Sequence, residues 1–447
     1  MFLSEPARFV SPGHFWWEVS MRVQINSRSA VAITTPFWTL MLLTACGASP
    51  EEPAPEPTDA IAYDGGRIIV GDGGVIENGT LLVEGDRILA VGGTDSVDVP
   101  AGAERIDLTG RTLMPAIIDT HVHLRETRDE LVEDLQRKAY YGVSAVLSLG
   151  RGVSELAFQL RDEVVTNAAR YLTVGRGITA PEPGRTEVPS WVTTEEEARA
   201  AVRELVPQNV GMVKIWVDDR NGQFDKLTPE LYGAVIDEAH QHGLRVTAHV
   251  YTLEDAKGLL RAGLDAFAHG IRDTDVDDEV LELFRERPDV VLVPNLPGSG
   301  FAADLSWLSG TIPADELTQM QERSVDRPAA QEAFGIQARN LARLSAEGVT
   351  IAFGTDGGAG WSPHAEMEDM VRAGMNPGDV LVAATSNSAD LMALDDLGTL
   401  EAGKSADFIV LEANPLDDIT NTRRIVDVYL RGAAVERTAL SSAWVGP

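Results

Sequence analysis

The chain has 447 residues, which is too long for one small core and fits one large domain with a minor one. Its balance of 44% hydrophobic and 24% charged residues is typical of a globular protein and excludes wholesale disorder. A formal net charge of −32 excludes nucleic acid as a partner, and the one cysteine, Cys46, excludes a framework of intramolecular disulfides.

The N-terminal residues have the order of an export signal. Within residues 21–46, basic residues are followed by an apolar stretch and then by small residues before Cys46. The stretch is too short and too interrupted for a spanning helix. It resembles a bacterial lipoprotein signal, in which Cys46 would become the lipidated first residue; an ordinary signal peptide with a chance cysteine is the alternative. Residues 1–20 are then a misassigned upstream start, and residues 47–59, rich in Pro and Glu, are a disordered linker.

This interpretation makes the protein an exported one. It predicts attachment to a bacterial membrane through the lipid at Cys46 alone, with the outer membrane, on its periplasmic or surface face, as the destination. A homo-oligomer is compatible with the sequence.

Short strands separated by turn residues occupy both ends of the remaining chain. Gly-Asp and Asn-Gly pairs divide the first segment into hairpins, and the last segment has the same pattern. Neither segment is large enough to bury a core alone. We therefore expect residues 60–114 and 395–440 to pair into one small β-sandwich.

Strands and helices alternate between these two segments. Residues 115–394 contain eight predicted strands and about eight helical stretches, including helices at 154–167, 228–242 and 328–346. Strict alternation at this length predicts an α/β fold with a (β/α)8 TIM barrel. An open doubly wound sheet is the alternative, but no glycine-rich phosphate loop follows the first strand to favour it.

The first barrel strand ends in two histidines. An apolar run, residues 115–118, leads into His121 and His123, and the side-chain period of two places both imidazoles on one side of a strand. Two adjacent imidazoles can bind one divalent metal, although a pair of hydrogen-bonded core histidines has the same spacing.

Other ligand-type side chains lie near the ends of further predicted strands. Barrel active sites form at the C-terminal rim, so residues from several strand ends can meet there. The candidate metal ligands are His121, His123, Lys214, His249, His269 and Asp356.

Several motifs resemble the amidohydrolase superfamily, and within it the imidazolonepropionase-like and Xaa-Pro dipeptidase-like hydrolases. They are MPAIIDTHVH (114–123), VKIW (213–216), VTAHV (246–250), FAHG (267–270) and FGTDGG (353–358). The resemblance implies two divalent metal ions. His121, His123 and Asp356 would bind the buried ion, and His249 and His269 the more exposed one.

The resemblance also implies that Lys214 is carboxylated and bridges both ions as N6-carboxylysine. An ammonium has no lone pair, so an unmodified lysine is a poor ligand; a plain ion pair across the barrel is the alternative. Zinc suits imidazole with oxygen ligands, and Co, Mn and Fe remain compatible.

The implied reaction is hydrolysis of a C–N bond by a hydroxide that bridges the two metals. Asp356 would carry the proton to the leaving amine, and the Tyr251 hydroxyl could stabilise the oxyanion, although a loop tyrosine is an equal alternative. Arg151, Arg176 and Arg272 follow strand ends and could hold a substrate carboxylate, with surface ion pairs as the alternative. His364, which follows the last strand, is a candidate substrate contact.

The expected substrate is a small amide, either a dipeptide or an N-acyl amino acid. A lactonase, esterase or phosphotriesterase would use the same metal centre, and a lipid-anchored binding protein without catalysis is the rival of a different class.

Overall fold

The computed structural model describes residues 58–445. The predicted leader, Cys46 and nearly all of the predicted linker lie outside these described residues. Among the helices of residues 58–445, none combines the length and the apolar character needed to cross a membrane.

The strands and helices alternate through most of the chain. The strands are β1 (Ala60–Ile69), β2 (Val75–Glu84), β3 (Arg87–Gly93), β4 (Glu104–Asp107), β5 (Thr112–Pro115), β6 (Ile117–Val122), β7 (Val143–Ser148), β8 (Arg170–Thr173), β9 (Ile178–Thr179), β10 (Ser190–Trp191), β11 (Met212–Val217), β12 (Arg245–Val250), β13 (Ala266–Ala268), β14 (Val291–Val293), β15 (Thr350–Ile351), β16 (Phe408–Leu411), β17 (Ile425–Leu430) and β18 (Ala433–Ala434). The α-helices are α1 (Arg128–Tyr140), α2 (Glu155–Arg161), α3 (Glu195–Leu205), α4 (Pro229–Gln241), α5 (Leu253–Ala262), α6 (Asp278–Glu286), α7 (Ala314–Arg323), α8 (Pro328–Ala346), α9 (Ser362–Arg372), α10 (Pro377–Val382), α11 (Ser388–Met392) and α12 (Arg437–Val445).

The two ends of the described chain share one sheet of eight strands. Its order is β18-β17-β16-β5-β1-β2-β3, with β4 also paired to β1. Register shifts between Asp64 and Ile68 divide β1, so that its first half pairs with β4 and its second half with β5. The antiparallel pair of β5 and β16 joins the two terminal segments, as predicted. They form one hydrogen-bonded sheet, around a core in which Phe408 stacks on Tyr429 at 4.6 Å, rather than two separate layers.

Eight parallel strands form the predicted barrel segment. They comprise an arc β6-β7-β8 and an arc β11-β12-β13-β14-β15. At one junction, the backbone N–H of Thr120 in β6 donates to the Phe353 carbonyl after β15 at 3.0 Å. At the other, β9, which follows β8, pairs with β11. The eight strands are those predicted, and the short strands β9 and β10 are additions.

The helices follow the predicted amphipathic segments. Helix α8 has the predicted bounds, and α3 begins with a capping box in which Thr194 and Glu197 satisfy each other's backbone N–H groups. Helix α7 lies in a long segment between β14 and α8 that was not predicted to be helical; it is short, and none of its residues is buried. Helix α12 likewise extends the chain past the predicted sheet.

Candidate active site

The candidate ligands converge at the C-terminal ends of the barrel strands. His121 lies near the end of β6 and His123 directly after it, His249 lies near the end of β12, and His269 follows β13. Asp356 lies in the loop after β15. Because the parallel strands all run towards the same rim, residues from distant parts of the sequence meet there.

The two histidines of β6 contact one carboxylate. The Nε2 atoms of His121 and His123 lie 3.2 and 3.0 Å from Oδ1 of Asp356. On the other side of this carboxylate, Nε2 of His269 lies 3.8 Å from Oδ2. His121, His269 and Asp356 each offer a ligand atom within 4.8 Å of the others, which is compact enough to hold a metal ion.

His249 completes the cluster from β12. Its ring lies 4.6 Å from that of His269, centroid to centroid, and its Nε2 lies 2.9 Å from Oδ2 of Asp218. If Nε2–H donates to Asp218, the tautomer leaves the Nδ1 lone pair for a metal. A carboxylate behind a ligating imidazole is a common arrangement in metal sites, since it fixes the orientation of the ring.

Lys214 lies at the centre of the barrel without a polar partner. Its side chain is fully buried, and no group of residues 58–445 accepts a hydrogen bond from its Nζ. The Trp216 ring centroid lies 5.5 Å from Nζ. Burial lowers the pKa of Lys214 to about 7, even though the charge of Asp356 raises it. A neutral amine is therefore well populated at this position at neutral pH.

Burial also keeps the histidines neutral. It lowers the pKa of His249 to about 4 and holds those of His121 and His269 well below their ordinary value. Burial would raise the pKa of Asp356, but the hydrogen bond with His123 and the charges around it lower the pKa overall. Neutral imidazoles next to an ionised carboxylate are the protonation states that metal binding requires.

The unpartnered atoms provide the test of whether a metal fits. Within the described chain, Nδ1 of His123, Nδ1 of His269 and Nζ of Lys214 are buried without hydrogen-bond partners. Buried polar atoms without partners are rare, and these three belong to residues of one cluster. The donor set therefore fits divalent metal, with Lys214 suited to the centre only after it has become an anion.

Three residues of the rim have left-handed backbone conformations. The φ angles are 135° at His269, 40° at Asn295 and 53° at Asp356. Such conformations are unfavourable for residues with a Cβ atom, and they concentrate at functional sites. Asn295 uses its position to support the cluster, because its Oδ1 lies 2.9 Å from Nδ1 of His121.

A polar cavity of about 470 Å³ opens in front of this cluster, and we call it the polar pocket. Four side chains beyond the histidines and Asp356 give it its charge: Arg151, Glu182, Arg185 and Arg220. Glu182 is buried and pairs with Arg185 at 2.6 Å and with Arg220 at 2.8 Å. Arg220 also contacts Asp218 and lies 3.1 Å from Nε2 of His249. Arg151 is exposed, and none of the described residues pairs with its guanidinium.

The other predicted site residues lie in different surroundings. Arg272 is half-buried, its Nε has no partner among residues 58–445, and Asp356 and Asp218 are close enough to oppose the lowering of its pKa by burial. Tyr251 is 36% exposed and does not line the polar pocket.

Arg272 does not line the polar pocket, and two further predicted substrate contacts, Arg176 and His364, also lie outside it. Arg176 donates to the Val188 carbonyl at 2.5 Å. His364 is buried in α9, with Nδ1 3.0 Å from the Thr422 hydroxyl and Nε2 3.0 Å from the Tyr141 carbonyl. Because both ring nitrogens are used in the protein interior, the structure places His364 in a structural role instead of the predicted substrate contact.

Asp218 and Arg220 were missed by the sequence analysis. Asp218 follows Lys214 and Trp216 at intervals of two residues, which places these three on the same side of an extended segment, whereas Arg220 lies in the turn beyond it with a φ of 55°. That period was a usable signal. Glu182 and Arg185 lie in a loop after β9, and no comparable pattern indicates them.

A barrel with four histidines, a lysine and an aspartate at its C-terminal rim defines the class of metal-dependent barrel hydrolases. The sequence matches the Amidohydrolase family over residues 112–435. The chain therefore belongs to the amidohydrolase family and is a hydrolase that acts on carbon–nitrogen bonds.

Similar proteins include enzymes and a solved structure. Ochratoxinase from Aspergillus niger is 25% identical over 418 residues, covering 79% of this chain and 81% of that protein. Imidazolonepropionase from Geobacillus thermodenitrificans is 26% identical over 383 residues, covering 76% and 85%. A crystal structure described as a putative prolidase from Bifidobacterium longum is 28% identical, covers 87% of this chain and 98% of that chain, and superposes with a TM-score of 0.70.

Proposed function

We propose that this amidohydrolase hydrolyses the amide bond of a small carboxylate-bearing substrate, a dipeptide or an N-acyl amino acid, with two divalent metal ions. The observation that carries the proposal is the buried Lys214 Nζ. It has no partner among residues 58–445, and it lies close enough to Asp356 and to the rings of His121, His249 and His269 for their charges to interact. A cation at that position would repel a metal, whereas an anion would bind it.

Carboxylation of Lys214 accounts for its surroundings. The neutral amine attacks the carbon of CO2, an N–C bond forms, and the nitrogen loses a proton to water. The product is a carbamate with two oxygen ligands and a negative charge. The pKa of Lys214, lowered to about 7 by burial, supports this step because the reacting species is the unprotonated amine.

The remaining ligands divide into two groups. His121, His123 and Asp356 would hold one ion, and His249 and His269 the other, with Lys214 between them. Zinc is the metal best suited to this set. Bound metal would lower the pKa of a water molecule towards 7, so that it becomes a nucleophile at neutral pH, and would polarise the substrate carbonyl.

Asp356 is the proposed proton carrier. Its lowered pKa keeps it ionised at neutral pH, so it can accept the proton of the attacking water and donate it to the leaving amine. Asp218 acts behind His249 and fixes the orientation of that ring. The oxyanion role of Tyr251 remains a prediction, since its side chain is exposed and does not line the polar pocket.

Arg151 is the proposed anchor of the substrate carboxylate. It lines the polar pocket, and its guanidinium lacks a carboxylate partner in the described part of the chain. Arg185, in contrast, pairs with Glu182, and Arg220 pairs with both Glu182 and Asp218. A guanidinium can bind a carboxylate through two parallel hydrogen bonds. Arg272, with its unpartnered Nε, is the second candidate.

The test combines metal analysis with a substrate panel. The purified enzyme is expected to contain about two metal ions per chain and to cleave dipeptides or N-acyl amino acids in preference to lactones, esters and phosphotriesters. Activity on lactones or phosphotriesters alone would refute the amide assignment and favour the alternative noted from the sequence. Bound metal without turnover on any of these substrate classes would favour a binding protein without catalysis.

The carboxylate anchor has a matched control. Arg151→Gln is expected to raise KM for a free acid about tenfold or more, and to leave KM for the corresponding methyl ester much less changed. Arg176→Gln changes the same residue type outside the polar pocket and should alter neither value. Equal effects of Arg151→Gln on acid and ester would contradict the anchor.

We also propose, from the sequence alone, that the enzyme is exported and lipid-anchored through Cys46.

A further inference from the structure

A second cavity of about 540 Å³ lies next to the polar pocket. His123 lines both cavities, so the two meet at a proposed metal ligand. The second cavity is formed by the loop after β6, helix α1, the segment that contains α7, and the loop between β15 and α9. We call it the acyl pocket.

The walls of the acyl pocket are partly apolar. Trp361 is held by an edge-to-face contact with Trp307, with 6.3 Å between the ring centroids. The neighbouring Gly360 lies so close to α1 that a Cβ atom would meet the Arg137 backbone at 2.7 Å, so this loop is closely packed. The apolar and aromatic lining residues are Tyr141, Ile312, Pro313, Met320 and Trp361.

The charges of the acyl pocket are paired with one another. Arg125 forms an ion pair with Asp134 at 2.6 Å, and Arg137 forms one with Glu133 at 2.8 Å. Glu316 also lines the cavity, and none of the described residues forms an ion pair with it. The acyl pocket therefore has no guanidinium available for an anion, in contrast to the polar pocket with Arg151.

We infer that the substrates are N-acyl amino acids with a bulky, uncharged acyl group, which binds in the acyl pocket while the amino-acid carboxylate binds in the polar pocket. This inference rests on the proposed function. The volume lies within the range of about 300–1,000 Å³ that is typical of sites for drug-sized ligands. An acetyl group or a small aminoacyl group would leave most of that volume and its apolar wall in contact with water. The scissile bond would lie where the two cavities meet, next to His123.

The experiment uses one amino acid with a series of acyl groups. N-acetyl-, N-hexanoyl-, N-benzoyl- and N-(2-naphthoyl)-L-leucine are compared by kcat/KM with the metal-loaded enzyme. We expect kcat/KM to rise at least about tenfold from acetyl to naphthoyl, since apolar contacts in a pocket give gains of this order. A 6-carboxy-2-naphthoyl analogue should lose that gain, because Glu316 and the paired arginines offer it no cation.

Variants test the pocket itself through the ratio of kcat/KM for the naphthoyl and acetyl substrates. Trp361→Ala should lower this ratio about tenfold, and Met320→Ala should lower it less. The control is Phe301→Ala, which removes an exposed aromatic residue outside the acyl pocket and should leave the ratio unchanged. Melting temperatures identify any variant that is merely unstable, and Met320→Ala provides the test if Trp361→Ala does not fold.

The possible results separate the inference from the proposed function. The acyl preference is overturned if kcat/KM is the same for all acyl groups. It is also overturned if the naphthoyl-to-acetyl ratio of kcat/KM is unchanged in both folded variants. Either result leaves the proposed amide hydrolysis standing. Preference for the carboxylated naphthoyl analogue also overturns the acyl preference. Turnover on dipeptides without turnover on any N-acyl amino acid overturns the acyl preference alone. Turnover on esters, lactones or phosphotriesters alone overturns both.

Discussion

Replacing Lys138 by Met should destabilise the protein strongly. Lys138 in α1 and Asp119 in β6 are both fully buried, and Nζ lies 2.8 Å from Oδ2 of Asp119. Methionine has a similar length but no charge, so the variant leaves the Asp119 carboxylate buried without its counter-ion. Breaking a buried pair in this way costs about 3–5 kcal/mol. That is a large part of a typical unfolding free energy of about 5–15 kcal/mol.

Lys138→Met should also disturb the cluster of candidate metal ligands. Asp119 accepts hydrogen bonds from the backbone N–H of Thr355 at 3.0 Å and from that of His121 at 3.3 Å. Thr355 immediately precedes Asp356, so one carboxylate fixes the backbone on both sides of the proposed metal. A repositioned Asp119 should therefore weaken metal binding as well as stability.

Urea unfolding and metal content measure the two effects. The control is Lys404→Met, because Lys404 pairs with the exposed Glu401 at 3.3 Å, and an exposed pair contributes less than about 1 kcal/mol. Adding Asp119→Asn to Lys138→Met removes the uncompensated charge, so this double variant should regain part of the lost stability. If the unfolding free energy of Lys138→Met lies within about 1 kcal/mol of that of the control, the proposed role of the buried pair is incorrect.

The remaining predictions concern the metal ligands and the N-terminus. Lys214→Ala should reduce metal content to one ion or none per chain, and stripped wild-type enzyme should need bicarbonate as well as zinc. At equal concentrations of dissolved CO2, recovery should be faster at about pH 8 than at pH 6, where the amine is protonated. Unmodified lysine in fully active enzyme, by intact mass, would contradict this. Asp356→Asn should lower kcat by about 10²–10⁴ with metal largely retained; more than half of wild-type activity would refute the proton transfer. Cys46→Ala should release the protein from membrane fractions; native protein that is soluble and begins before Cys46 would exclude a lipid anchor.

The metal cluster could be predicted because strand geometry determines it. Two residues separated by one lie on the same side of a strand, and the ends of parallel strands meet at one rim. These two rules bring His121, His123 and His249 to one rim, and they place Asp356 near it because its loop directly follows β15. The bounds of α8 were predictable for a similar reason, since a long amphipathic period with proline at its first position marks a helix clearly.

The positions of the candidate substrate contacts could not be predicted in this way, because the conformations of the loops decide where these side chains point. Arg151 and Arg176 each follow a strand by a few residues, yet Arg151 lines the polar pocket while Arg176 bonds a loop carbonyl. Nothing local in the sequence distinguishes the two. His364 was misjudged because its partners, Thr422 and the Tyr141 carbonyl, come from distant segments.

The backbone at His269 provides independent support for the chemistry assigned to this rim. A φ of 135° suits glycine, and a residue with a Cβ atom has to be held in it by the surrounding structure. The backbone N–H of His269 donates to the Val293 carbonyl at 3.0 Å, and its ring packs against those of His121 and His249. Stability alone would favour glycine here. The Nδ1 atom of His269 is buried without a partner, which adds a second cost. A ligand bound at this rim would explain why the chain keeps a histidine in this backbone conformation despite both costs.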